Sequence, residues 1–248
     1  MLAWWRAHGR DAFWSALFPP RCVGCGRFET LLCPACRQGL RPIGAERCRR
    51  CGRPGVTWST PAWCAECVQH ELGFVSARSA YFYDGAARSL VTGLKYEGQR
   101  VLAPLMAALA APDLAETVAG VPGAVLTWVP AHGATQRRRG YNHAELFARA
   151  LSPVVDTPWI APPARKVRRT RHQQGLDREA RMRNLKGAFV PVPTVLGQEV
   201  GGIVLVDDVY TTGATAGEAA AAIVRATGVP VHVFTFCRTE ADVQGGLR

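Results

Sequence analysis

Two groups of residues in this chain combine the types and spacing that chemistry requires. The first is a set of eight cysteines in four Cys-x-x-Cys pairs: Cys22 with Cys25, Cys33 with Cys36, Cys48 with Cys51, and Cys64 with Cys67. Two-residue spacing lets both thiolates of a pair face one ion, and two pairs complete the tetrahedral Cys₄ shell of a structural zinc. Sequential pairing (22/25 with 33/36, 48/51 with 64/67) keeps each loop short and costs less closure entropy than interleaved pairing, so it is preferred. Four thiolates per ion leave no open position, which favours one or two structural Zn²⁺ over redox or catalytic metal. Gly26 and Gly52 follow two of the pairs, where the backbone must turn around the metal. The ninth cysteine, Cys237, lies in the apolar run Val231-His232-Val233-Phe234-Thr235-Phe236 and reads as a packing residue.

The second group is the run Gly202-Ile203-Val204-Leu205-Val206-Asp207-Asp208-Val209-Tyr210-Thr211-Thr212-Gly213-Ala214-Thr215. Its apolar start is a buried parallel strand. Two carboxylates follow at the carboxyl end, then a loop of small and hydroxyl residues, then an Ala-rich helix. Ligands of open α/β sheets bind at that end of the strands. Backbone N–H groups from Thr211, Thr212, Gly213, Ala214 and Thr215, with the threonine hydroxyls, would cradle a phosphate at the helix N-terminus. Asp207 and Asp208 are poor phosphate ligands; they suit sugar hydroxyls, directly or through Mg²⁺. The plainer alternative is that the acids cap a turn and the threonines cap the helix.

The elements that must position these groups can be read from texture. In 248 residues the chain is 48% hydrophobic and 20% charged, with a net charge of +11, which excludes a disordered tail or a collagen-like rod. No uninterrupted apolar stretch reaches the ~18 residues of a membrane span, and the N-terminus lacks a signal-peptide cleavage pattern. With cysteines in metal spacing rather than a disulfide framework, a cytoplasmic location is expected. Residues 1–20 have the spacing of a short amphipathic helix ending at Pro19-Pro20, read as docked on its own protein rather than on a membrane surface or a partner. Residues 21–72 lack a core of their own and need metal to fold. Residues 73–248 alternate strands (near 78–83, 124–129, 202–206 and 231–236) with helices (near 86–96, 100–111, 141–151 and 215–226). This βα alternation predicts an α/β fold with a mostly parallel sheet flanked by helices. Its charge is uneven: residues 165–186 hold nine basic residues against two acidic ones, and Arg137, Arg138 and Arg139 form a second knot. Both expect an anionic partner.

The run from Asp207 to Thr215 resembles the phosphoribosyl pyrophosphate (PRPP) signature of type I phosphoribosyltransferases. That resemblance implies that Asp207 and Asp208 hold the ribose 2- and 3-hydroxyls and residues 211–215 hold the 5-phosphate. Nearly the whole chain resembles the ComF family of bacterial competence-associated proteins: the paired zinc ribbons, Tyr83-Asp84-Gly85, Leu94-Lys95-Tyr96-Glu97-Gly98, Arg139-Gly140-Tyr141-Asn142-His143-Ala144-Glu145-Leu146, Gln174-Gly175-Leu176, and Arg183-Asn184-Leu185-Lys186-Gly187-Ala188-Phe189. Tyr141-Asn142-His143 replaces the family's Phe-Asn-Gln, and Trp128-Val129-Pro130-Ala131 stands where Val-Pro-Val-Pro is expected.

The resemblance implies a type I phosphoribosyltransferase fold with a small N-terminal zinc-ribbon domain. It assigns pyrophosphate binding to Pro130, Ala131, His132, Gly133 and Arg139, and a phosphate charge to Lys95. It implies Mg²⁺-dependent transfer of a phosphoribosyl group from PRPP to an acceptor that the sequence does not reveal, with Asp207, Asp208, Lys95 and Arg139 as the catalytic set. Residues 165–186 lie where such enzymes carry a closing lid, which would bring Arg171, Arg181 or Arg183 to the leaving group; a nucleic-acid-binding patch is the other reading, since nine cations exceed what one pyrophosphate uses. The second functional class is a non-catalytic module that senses PRPP or a nucleotide and grips single-stranded DNA or a competence translocase partner.

Overall fold

The computed structural model describes residues 19–55, 63–168 and 184–240. The expected N-terminal helix falls almost entirely outside them. The centre is a four-stranded, all-parallel sheet in the order β1 (Ser76–Phe82), β6 (Val231–Arg238), β5 (Gly202–Tyr210), β2 (Ala124–Trp128). On one face lie α3 (Gly85–Tyr96), α4 (Leu102–Ala119) and α6 (His143–Leu151); on the other lies α7 (Ala214–Thr227). Both faces are covered, which is why β5 and β6 read as near-continuous apolar runs rather than alternating ones. This is the expected α/β arrangement of the phosphoribosyltransferase type, with zinc-ribbon segments at its N-terminal side. A short α5 (Gly133–Arg139) precedes α6, and α1 (Pro34–Gln38) and α2 (Ala65–Gln69) belong to the ribbons.

Three boundaries differ from the sequence reading. Strand β5 runs on to Tyr210 and β6 to Arg238, because each supplies the other's partners: Asp207 opposes Thr235, Val209 opposes Cys237, and Tyr210 opposes Arg238. Helix α4 passes through Pro112 to Ala119. The missing Pro N–H costs one hydrogen bond, while the extra turns bury Leu114 and set Glu116 against Arg47 at 3.1 Å. By length and composition α4 is apolar enough to cross a membrane, but Leu102, Met106, Ala110 and Leu114 are fully enclosed by the core. An unforeseen antiparallel pair, β3 (Ala164–Lys166) with β4 (Phe189–Pro191), brackets the basic segment, with Lys166 opposite Phe189. Most of that segment, including Arg171, Arg181 and Arg183, lies outside the described residues; Arg168 joins its two ends by donating to the carbonyls of Asn184 and Lys186.

Both sheet edges are covered, as exposed edges otherwise invite pairing with other chains. Leu126 of β2 bonds Pro158 and Ile160. Along β1, Ile43 donates to Ala80 and Phe82 donates to Arg41. That second contact is the linker between the two ribbons, and its path around the sheet edge decides where they land. Cys22 and Cys33 join the core beneath α3, α4 and α6; Cys48, Cys51, Cys64 and Cys67 join the core beneath α7.

Candidate functional site

The two ribbons are local repeats of one another. Cys22 N donates to Arg27 O and Cys48 N to Arg53 O; Gly26 N donates to Cys22 O and Gly52 N to Cys48 O; Cys33 N reaches Cys22 Sγ and Cys64 N reaches Cys48 Sγ, both at 3.3 Å. Gly26 and Gly52 have φ of +77° and +70°, the left-handed conformation that the turn requires. The cysteines group as Cys22, Cys25, Cys33, Cys36 and as Cys48, Cys51, Cys64, Cys67. Sequential pairing is therefore what the fold adopts. Sulfur separations of 3.7 Å (Cys25 to Cys33), 3.8 Å (Cys48 to Cys67) and 3.6 Å (Cys51 to Cys64) match the edge of about 3.8 Å that a regular tetrahedron has with ~2.3 Å Zn–S bonds. Both tetrads fit Zn²⁺. Cys237 is wholly buried in β6, and burial pushes its thiol well above the ordinary value.

The acidic pair sits where β5 loses a neighbour. Strand β2 stays in register with β5 only as far as Trp128 opposite Val206, with Val129 N still donating to Val206 O. One edge of Asp207 and Asp208 is thereby open to α3 and α6. From α3, Lys95 Nζ comes to 2.7 Å from Asp208 Oδ2; from α6, His143 Nε2 stands 3.3 Å from the same oxygen and 3.9 Å from Asp207 Oδ1. The other carboxylate contacts are local: Asp208 N donates to Asp207 Oδ1 and Val209 N to Asp208 Oδ1.

These contacts split the two acids. For Asp207, burial and then the charge of Asp208 outweigh His143 and Lys95, and its pKa is pushed up to about 6. For Asp208, burial acts upward too, but Lys95 and His143 hold it well below the usual carboxylate range. Burial disfavours the Lys95 ammonium, yet the two aspartates raise its pKa on balance. The pair thus carries one firmly ionised acid and one poised near neutrality. His143, Asp207 and Asp208 bring three ligand atoms within 4.8 Å of one another, a donor set for a divalent cation, although Lys95 already supplies positive charge there.

Arg139 NH1 lies 3.3 Å from His143 Nδ1. Arginine only donates, so this partner assigns the imidazole proton to Nε2, facing Asp208. Arg139 also stacks over Tyr96 at 5.1 Å and Arg100 over Tyr141 at 4.7 Å, while the Tyr141 hydroxyl donates to Leu94 O at 2.5 Å. The Leu94 and Arg139 sequence blocks are therefore two sides of one contact. Asn142 caps α6 through Ala144 N and donates to Val129 O at 3.0 Å, tying the helix to the end of β2.

The threonine loop follows directly. Gly213 (φ +76°) ends it and Ala214 opens α7, with Thr212 Oγ1 accepting from Ala214 N. Pro130, Ala131 and His132 leave the neighbouring strand β2 at the same end of the sheet. His132 Nδ1 accepts from Ala134 N, so this ring caps α5 at the side where Gly133 begins it.

Of the residues singled out in the sequence, Lys95, Asp207 and Asp208 meet directly, and Arg139 joins them through His143. His143 was missed as a site residue; its place at the start of a helix, among motif residues, was the available signal. In the sequence Lys166 is one of the nine cations of the basic segment. Burial lowers its pKa while Asp207 acts in the opposite sense and Lys95 reinforces the lowering, so it stands within electrostatic reach of the acidic pair.

The fold is that of a phosphoribosyltransferase-like α/β protein carrying an N-terminal double zinc ribbon. The double zinc ribbon domain matches residues 13–68. The DNA utilization protein YhgH of Salmonella typhimurium is 30% identical over 212 residues, covering 84% of this chain and 90% of that protein. Competence protein F of Haemophilus influenzae is 30% identical over 80% of this chain and 88% of its own. Competence protein ComFC of Bacillus subtilis is 26% identical over 93% of this chain and 91% of its own. The chain belongs to the ComF family.

Proposed function

We propose that the protein binds PRPP at the carboxyl ends of β5 and β2 and transfers its phosphoribosyl group to an acceptor in the service of DNA uptake or utilization. The observation that carries this reading is the adjacency of half-buried Asp207 and buried Asp208 to a loop that ends in left-handed Gly213 at the start of the 14-residue α7. Residues 211–215 would take the 5-phosphate on their amides and hydroxyls. Asp207 and Asp208 would accept from the ribose hydroxyls, drawing Asp208 Oδ2 away from Lys95. The freed ammonium, with Arg139 and the loop from Pro130 to Gly133, would face the departing pyrophosphate, which PRPP carries with Mg²⁺; that ion supplies further charge neutralisation when bound. Asp208 stays anionic and supports positive charge developing at C1, while His143 fixes its oxygen and Arg139 fixes His143. The names of the relatives, which speak of DNA utilization and competence, support a role in those processes; in this reading the protein works in the cytoplasm with a competence translocase as a partner. The basic segment 165–186, most of which lies outside the described residues, takes in this reading the role of the lid that such enzymes carry.

A second reading, a non-catalytic PRPP or nucleotide sensor that also holds single-stranded DNA, draws on the ribbons. Each presents a half-exposed aromatic ring under an arginine: Phe28 with Arg21 at 3.9 Å and Trp63 with Arg50 at 5.1 Å. Stacked rings beside cations suit bases and phosphates. Calorimetry with PRPP and Mg²⁺ tests the shared premise: wild type should bind, and the double variant Asp207→Asn, Asp208→Asn should not. Equal affinity in both refutes PRPP binding here. Pyrophosphate release across a panel of bases, amines and ammonia then separates turnover from sensing.

A further inference from the structure

Arg238 ends β6 and is 1% exposed. A cation so enclosed is costly unless its surroundings use it. Its NH1 donates to the carbonyl of Cys51, a ligand of the second tetrad, at 2.9 Å, and its guanidinium lies over the Tyr210 ring at 4.9 Å. Tyr210 ends β5, packs edge to face on Phe74 at 6.4 Å, and presents its hydroxyl to Gly213 so closely that a Cβ there would overlap it. Tyr210 and Thr212 enclose a small void with Cys51, Cys67, Arg53 and Arg238. The second ribbon is pressed against the sheet from the other side: Ala77 N donates to Arg50 O at 2.7 Å, and a Cβ on Gly52 would come within 2.5 Å of Ala77 O. A continuous packed path therefore runs from a zinc ligand through Arg238 and Tyr210 to the loop of residues 211–213. The first ribbon has no place on this path, because Cys22 and Cys33 pack on the opposite face of the sheet.

We infer that Arg238 is a positioning residue that makes the second zinc ribbon the support of the phosphate loop, so that metal in the Cys48 tetrad, and not in the Cys22 tetrad, sets the loop's order. Its consequence for ligand binding rests on the PRPP reading above; the coupling itself does not. The planar guanidinium suits both duties, donating at its edge to a carbonyl and stacking its face on an aromatic ring. Lysine could keep the first and lose the second.

The test is amide hydrogen exchange on the full zinc-loaded chain without ligand, comparing wild type, Arg238→Lys, Arg238→Met, Cys67→Ser and Cys25→Ser. Exchange over residues 211–215 should speed up about tenfold or more in Arg238→Met and Cys67→Ser. Arg238→Lys should fall between, Cys25→Ser should match wild type there, and α6 should stay protected in all the Arg238 variants. An unchanged loop in Arg238→Met, equal opening in Cys25→Ser and Cys67→Ser, or Arg238 variants in which every amide opens together would each overturn the inference. Calorimetry with PRPP is run in parallel. A wild type that fails to bind sinks the PRPP reading while the exchange data still decide the coupling; binding by wild type that is equally tight in Arg238→Met overturns the consequence for the ligand, and the exchange data again decide the coupling.

Discussion

Lys95 Nζ and Asp208 Oδ2 lie 2.7 Å apart, closing the last turn of α3 onto the carboxyl end of β5. The carboxylate is almost fully enclosed, whereas the lysine side chain keeps a quarter of its surface exposed. Asp208 therefore depends on the pair more than Lys95 does. Lys95→Met should cost about 2 to 3 kcal/mol in urea unfolding, at or below the lower end for breaking a buried pair because of that exposure. Lys95→Met combined with Asp208→Asn should cost less than the sum of the single changes by about 1 kcal/mol or more. Strict additivity would mean that the contact does not contribute.

Asp207 yields a pH prediction of definite sign. Its folded pKa, raised to about 6 chiefly by burial and then by Asp208, lies above the ordinary aspartate value. The folded state therefore holds the proton more tightly than the unfolded chain, and stability from this group is lost as pH rises from about 4 to about 6. Asp207→Asn should stabilise the protein above pH 6, by up to about 3 kcal/mol, with little gain below pH 4. Carboxyl NMR of wild type should show one aspartate titrating near 6; a midpoint near 4 for Asp207 rules this out. Asp208 works in the opposite direction, since its depressed pKa removes stability only as pH falls below the ordinary aspartate range.

Native mass spectrometry should find two zinc ions per chain. Chelation should unfold more than the ribbons, because each tetrad shares a core with one face of the sheet. Cys48→Ser, at a site where all four cysteines are buried, should lower the melting temperature more than Cys25→Ser, where the cysteine is exposed. One zinc per chain, or a chelated protein that melts like the loaded one, contradicts this arrangement.

Glycines with the same backbone angle should respond differently to alanine. Gly26 and Gly213 have φ of +77° and +76°, but a Cβ on Gly26 meets open space while one on Gly213 meets the Tyr210 hydroxyl. Gly26→Ala should cost about 1 to 2 kcal/mol, the left-handed penalty alone. Gly213→Ala should cost more by about 1 kcal/mol or beyond, for the overpacking. Adding Tyr210→Phe should recover part of that excess but none of the Gly26→Ala cost. Thermal melts of the four variants decide the matter.

Features that depend on neighbours along the chain were legible in the residues alone. Cys-x-x-Cys spacing favoured sequential pairing, since short loops close most readily, and the structure groups the cysteines in that order. The apolar run, the two acids, the small loop and the Ala-rich helix marked a strand end leading through a short turn into a helix, which is the order that β5 and α7 show. Helix α6 and strand β2 were legible for the same reason, as periodic local patterns with clear ends. Tertiary structure decided what depends on residues far apart meeting. Strand β5 outran its apolar core because β6 offered partners up to Arg238, and α4 outran Pro112 because Leu114 had a core to enter. Nothing in the local pattern could show that His143 and Lys95 converge on one oxygen of Asp208, or that a linker crossing the edge of β1 sends the two ribbons to opposite faces. Those outcomes follow from which surfaces bury one another, and burial is a property of the folded chain.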